Sequence, residues 1–199
     1  MTKTFDFLYD FASPFCYLTH KVLHDIEART AAKAAYKPIL LGGIFKATGN
    51  TSPALVPQKL AYQQVEITRF LRRHDLVFHY NPHFPVTTLR VMRGAVYAVG
   101  KPYEKLYRES VFNAMWVEGR NMDDLDTIFE VLAAAGLPAA EIIEGTNQSE
   151  LKGALITATQ NAVDRGAFGL PTLYVGNEMF FGKDALPDLE QALRALDSK

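Results

Sequence analysis

Strand patterns occur only near the two ends of this chain, and a long stretch without one lies between them. Thr4-Phe5-Asp6-Phe7-Leu8-Tyr9-Asp10 alternates apolar and polar residues and predicts a strand over 4–10. Residues 14–34 follow with helical spacing: Phe15, Leu18, Val22 and Ile26 fall on one stripe. Ala35-Tyr36-Lys37-Pro38-Ile39-Leu40-Leu41 predicts a second strand, closed by Gly42-Gly43. A strand–helix–strand crossover makes these two strands parallel. Pro38 places the second at an edge or an irregular position. Near the other end, Thr172–Val175 and Glu178–Phe181 flank Gly176-Asn177, a hairpin signal with a two-residue turn. A last helix is predicted over 184–196.

The middle reads as helical. Helices are predicted over 59–74, 87–99, 103–116, 122–135 and 149–165. Gly136-Leu137-Pro138 closes the fourth, and Gly166 caps the fifth. The segment 42–57, rich in Gly, Pro, Thr and Asn, reads as a long loop, and such loops in compact domains are often functional. The order is β-α-β, five helices, β-β-α. It predicts an α/β core in two parts, 1–43 and 166–199, with an all-helical insertion over 44–165.

Several classes of function are disfavoured by composition. A formal net charge of −1 gives no basis for a nucleic-acid or acidic-surface partner. No apolar run approaches the roughly 18 residues that span a membrane. The first residues pass directly into the strand pattern without a signal-peptide core, and the last three are not a peroxisomal signal. With one cysteine there is no intramolecular disulfide. The expected compartment is the cytoplasm.

Ser13-Pro14-Phe15-Cys16 joins the first strand to the first helix. Serine is a favoured N-cap, and proline suits the first helical position. The free N–H groups and the helix dipole there favour a negative charge, such as a thiolate, whose pKa falls in that place. A thioredoxin-like chain puts Cys-x-x-Cys at such a turn. Here Ser13 replaces the attacking cysteine, so an external thiol is the candidate sulfur. Ser13 as a cap alone is the plainer alternative.

Five segments in order resemble the glutathione-dependent branch of the DsbA-like thioredoxin superfamily, which contains 2-hydroxychromene-2-carboxylate isomerases and kappa-class glutathione transferases. They are Tyr9–Leu18, Leu41–Asn50, Trp116-Val117-Glu118-Gly119, Gly166-Ala167-Phe168-Gly169-Leu170-Pro171-Thr172 and Phe181-Gly182-Lys183-Asp184. The resemblance implies a thioredoxin-like fold interrupted by a helical domain, glutathione as cofactor, an aromatic or electrophilic small-molecule substrate, and a homodimer. By the same resemblance Ser13 is the catalytic serine that holds the glutathione thiolate, with Pro14 and Phe15 lining its turn. Pro171 matches the superfamily's cis-proline, and the backbone of Leu170 pairs with the cysteinyl unit. Asp184 meets the γ-glutamyl amine. Asn50 and Lys59 match polar residues near the tripeptide.

Two positions depart from the family pattern. Lys183 stands where relatives often carry a small polar residue, and its expected partner is the γ-glutamyl carboxylate. Cys16 stands where relatives usually have Ser or Ala. One turn from Ser13, it offers an alternative reading as a monothiol disulfide oxidoreductase, and it is the expected site of glutathionylation. A kappa-class transferase is the other alternative. His20 and His24 are expected on a solvated face with Glu27, and His79 and His83 flank Asn81-Pro82 without a clear third metal ligand. Phe78, Tyr80, Phe84 and Tyr97 are expected in the core, with a wall of an aromatic substrate pocket as the alternative for some of them.

Overall fold

The computed structural model describes residues 3–196. Met1-Thr2 and the C-terminal tripeptide read for a targeting signal lie outside them. Four strands form one sheet in the order β2-β1-β3-β4: β1 (Thr4–Tyr9), β2 (Lys33–Pro38), β3 (Thr172–Val175) and β4 (Glu178–Phe181). The β1–β2 pair is parallel, and β3 runs antiparallel to both β1 and β4. Pro38 does sit on an edge strand, where a missing N–H costs no ladder bond. Strand β1 is central, and Phe7, Leu8 and Tyr9 are all buried, because both faces of the sheet are covered.

The first helix, α1 (Pro14–Thr30), ends earlier than the expected 34. Ala31 adopts a left-handed conformation at φ 53°, and the Thr30 hydroxyl donates to the Ile26 carbonyl. Strand β2 therefore begins at Lys33, two residues before the expected start. Between β2 and β3 every regular element is helical: α2 (Leu41–Thr48), α3 (Pro57–His74), α4 (Leu89–Ala98), α5 (Glu104–Trp116), α6 (Leu125–Ala134), α7 (Ala139–Gly145) and α8 (Ser149–Asp164), with a 3-10 turn at Pro53–Leu55. A second such turn, Lys183–Ala185, precedes α9 (Leu186–Ala195). No helix among the described residues is long and apolar enough to cross a membrane.

Two helices were not expected. The segment read as a loop contains α2, which straddles the boundary expected at 43/44. Its glycines look like breakers, yet Gly43 is where α2 meets α8: a Cβ there would stand 2.8 Å from Thr159 Cγ2. Helix α7 follows Pro138 and ends on Gly145, which lies flat against the Tyr97 ring. In both cases close packing, not propensity, decides the helix.

His20 is another correction. The expected solvated face holds for His24, but the His20 ring stacks on Phe112 at 5.0 Å, and its Nδ1 lies 3.0 Å from the Tyr36 hydroxyl. Burial first, then the nearby cations Arg108, Lys21 and Lys105, push its pKa down to about 3 from 6.5. His74 on α3 is pushed the same way, by burial first. The unfolded chain thus binds protons below about pH 6.5 that the folded chain does not, and stability falls as pH drops through that point. Between pH 6.5 and about 5, above the carboxylate range, the urea midpoint should decline. His20→Gln, which keeps a partner for Tyr36, should remove most of that decline.

Candidate active site

The turn after β1 is built by its own side chains. Asp10 bends it: its Oδ1 accepts from the Ala12 amide at 2.9 Å, an Asx turn. Ser13 then caps α1, its Oγ accepting from the Cys16 amide at 3.2 Å with Pro14 at the first helical position. The Ser13 hydroxyl donates to the Leu170 carbonyl across 3.3 Å. That distance exceeds the usual O–H···O range, so a better acceptor can take the hydrogen. From the helical segment, the Trp116 indole N–H donates to the Phe11 carbonyl at 2.8 Å and fixes the approach to Ser13.

The Leu170-Pro171 bond is cis, as the resemblance implies. The Gly182 amide donates to the Pro171 carbonyl at 2.9 Å, which brings Lys183 and Asp184 alongside. Gly182 has φ 83°, a conformation that a side chain would strain. A second cis bond is Phe84-Pro85. Around Ser13 opens a cavity of about 850 Å3, and all nine residues expected at the site line it: Ser13, Pro14, Phe15, Asn50, Lys59, Leu170, Pro171, Lys183 and Asp184.

Their settings differ. Asn50 is exposed and bridges two loops: its Nδ2 donates to the Phe168 carbonyl at 2.8 Å. Lys59 is exposed in the first turn of α3. Lys183 is buried, at 6 % exposure, an unusual state for a lysine. Its ammonium is 2.6 Å from Asp184 Oδ2 and 3.9 Å from Glu66 Oε1, with the Phe15 ring centroid at 5.3 Å. Lys183 and Asp184 thus form a tight cation–anion pair at the cavity wall, while Asp184 itself stays exposed.

Cys16 requires a correction. It is 0 % exposed and does not line the cavity. Burial pushes its thiol up to about 12, against smaller lowering by hydrogen bonds to Asp10 and Ser13. The helix-dipole argument applies at the first turn, but the side chain points into the core, where desolvation wins. Cys16 is therefore unfit as a monothiol nucleophile or a glutathionylation site. The native protein should resist oxidised glutathione and iodoacetamide at neutral pH, and unfolding should expose one reactive thiol. Mass spectrometry of both states checks this.

Sequence reasoning missed Asp10 as a site residue. Its carboxylate also accepts from Thr88 Oγ1 at 2.6 Å and from the Leu41 amide at 2.8 Å. Three segments, the Ser13 turn, the start of α2 and the start of α4, are thereby pinned together. Burial pushes the Asp10 carboxyl up, and its three donors pull it back. The available signal was an acid at the end of an apolar strand, next to the helix cap.

Comparison with known proteins agrees with this fold. The model of the DSBA-like thioredoxin domain matches residues 4–194. The chain is similar to a 2-hydroxychromene-2-carboxylate isomerase from Sphingobium xenophagum, 29 % identical over 196 residues that cover 97 % of this chain and 99 % of that one. It is also similar to glutathione S-transferase kappa 1 from Homo sapiens, 27 % identical over 212 residues, covering 97 % and 92 %. Among solved structures, a 2-hydroxychromene-2-carboxylate isomerase superposes with a TM-score of 0.88 at 27 % identity, covering 97 % of this chain and 95 % of that one. With a central sheet split by helices, a capped turn against a cis-proline loop and a match along nearly its whole length, the chain belongs to the DsbA-like thioredoxin family.

Proposed function

We propose that this protein is a glutathione-dependent isomerase of the 2-hydroxychromene-2-carboxylate isomerase type, working through a thiolate held at Ser13. The observation that carries it is one cavity that joins a helix-capping serine, a cis-proline loop and a buried Lys183 paired with the exposed Asp184.

The donor set suits glutathione. Its γ-glutamyl end is an amino-acid zwitterion, and the Lys183–Asp184 pair offers one charge of each sign. Asn50 and Lys59 on the same cavity suit the glycyl carboxylate. Ser13 and the first turn of α1 suit the sulfur. Cys16 and Tyr17 return their amides to the Ser13 carbonyl at 3.1 and 3.3 Å, and Pro14 has none, which leaves the Phe15 amide for a ligand. Bound there, glutathione supplies a thiolate that adds reversibly to a conjugated double bond and so lets it rotate.

The chain's own groups have separable tasks. The Ser13 hydroxyl turns its hydrogen from the Leu170 carbonyl to the sulfur and holds it anionic. The dipole of α1 acts in the same direction. Asp10 keeps the turn, α2 and α4 in register, so the sulfur and the second substrate meet in one geometry. Apolar side chains such as Phe45 and Phe84 keep water from the reacting atoms. A kappa-type transfer is the second reading, supported by the likeness to the human kappa enzyme. It uses the same site and differs in whether the sulfur leaves with the electrophile.

Calorimetry with reduced glutathione, together with a glutathione-dependent cis–trans isomerisation assay on a conjugated carbonyl compound, tests the proposal. Asp184→Ala should raise the Kd for glutathione about 10- to 100-fold, since a charge-assisted contact contributes roughly 1.5–3 kcal/mol. Saturating glutathione should restore most of the rate. An unchanged Kd would remove Asp184 from the site.

A further inference from the structure

Charge is unevenly placed around the cavity. Its ionisable lining residues are Asp10, Lys59, Glu66, Lys183 and Asp184. Lys59 and Glu66 lie on α3, and Lys183 and Asp184 follow β4. Lys183 joins these two groups through Asp184 and Glu66. The other wall comes from the start of α2 and the segment 84–89. Its side chains include Leu41, Phe45, Phe84, Val86 and Leu89. The ionisable group against that wall is Asp10, bound to the Leu41 amide and to Thr88. No lysine, arginine or histidine among the described residues lines it.

Glutathione carries two carboxylates, and the cavity has two cations, Lys59 and Lys183. Once the tripeptide has taken both, none remains for a second anion. A carboxylate placed on the α2 side would give up its water for hydrocarbon and would approach an acid in place of a base. A planar, uncharged group loses little by the same move and gains apolar burial.

We propose that this wall takes an uncharged, hydrophobic electrophile, such as a conjugated ketone or ester, and discriminates against one bearing a carboxylate there. The inference rests on the glutathione reading above. It keeps the reaction class of the isomerase relatives and departs from them in substrate, since 2-hydroxychromene-2-carboxylate is an anion. The specificity lies with the α2 start and residues 84–89.

Calorimetry on the whole chain with three ligands tests it without requiring turnover. Reduced glutathione reports the tripeptide half alone. S-benzylglutathione and S-(4-carboxybenzyl)glutathione differ only by a carboxylate in the second half. The neutral conjugate should bind at least about ten-fold more tightly, the preference expected when a carboxylate finds no counter-charge. Thr87→Lys adds a cation at an exposed position of the same wall. It should narrow the gap to within about three-fold, as a nearby cation offsets the desolvation. Equal or tighter binding of the carboxybenzyl conjugate overturns the inference while leaving the glutathione reading intact. A gap unmoved by Thr87→Lys overturns its electrostatic basis. Failure of reduced glutathione to bind overturns the glutathione reading, and this inference with it.

Discussion

Ser13→Ala should lower turnover at neutral pH by about 100-fold, the usual cost of removing one hydrogen-bond donor from a developing or held anion. Binding of glutathione should stay within about three-fold, because the partners proposed for its charged ends are untouched. The two effects should separate because the proposed role of Ser13 is on the sulfur and not on the tripeptide's carboxylates. Without the hydroxyl, the bound thiol's pKa moves back toward the ordinary value of about 8.5. The acid limb of the pH–rate profile therefore shifts to higher pH, and the variant regains much of its rate in alkaline buffer. Ser13 is also the N-cap of α1, so the variant loses roughly 0.5–2 kcal/mol of stability, read separately by urea unfolding. A Ser13→Ala profile that overlays the wild type would show that Ser13 is a cap alone.

Trp116→Ala should be the most destabilising single change near the site. Trp116 is fully buried, at 0 % exposure, and its ring stacks on Phe78 with centroids 5.5 Å apart. Truncating a buried aromatic costs about 3–5 kcal/mol. The Phe11 carbonyl, left without its indole donor, adds roughly 1–3 kcal/mol. Against a total near 5–15 kcal/mol, the variant is at the edge of folding. Trp116→Phe keeps most of the ring and loses only the hydrogen bond, so it should fall about midway between wild type and alanine. Urea unfolding of the three proteins measures the split. Equal stability of the phenylalanine variant and the wild type would show that the indole N–H does not hold the turn.

What was legible in the sequence was local. The Ser13 cap, Pro14 at the first helical position, the Gly176-Asn177 turn and the left-handed Gly166 each depend on a few neighbouring residues, and each stands where the pattern put it. The resemblance, spread along the whole chain, named nine residues from five separate places, and all nine line one cavity. What stayed hidden depends on partners far away in the chain. Helix α2 starts where the Asp10 carboxylate, 31 residues earlier, accepts its first amide. His20 loses its solvent to Phe112 and Tyr36, from α5 and β2. Cys16 has the right helical position for an activated thiol and the wrong direction, which no spacing rule reports. Lys183 looked like a mismatch in sequence; in the fold its ammonium is met by Asp184 and Glu66, one of them from α3.

The central claim is that the sulfur this protein uses is glutathione's, held at Ser13. A crystal structure with reduced glutathione tests it most directly. The sulfur should lie within hydrogen-bonding distance of Ser13 Oγ and the Phe15 amide, with the γ-glutamyl end on Lys183 and Asp184 and Cys16 unmodified in the core. A sulfur bound elsewhere in the cavity, or joined to Cys16 as a mixed disulfide, would contradict the account.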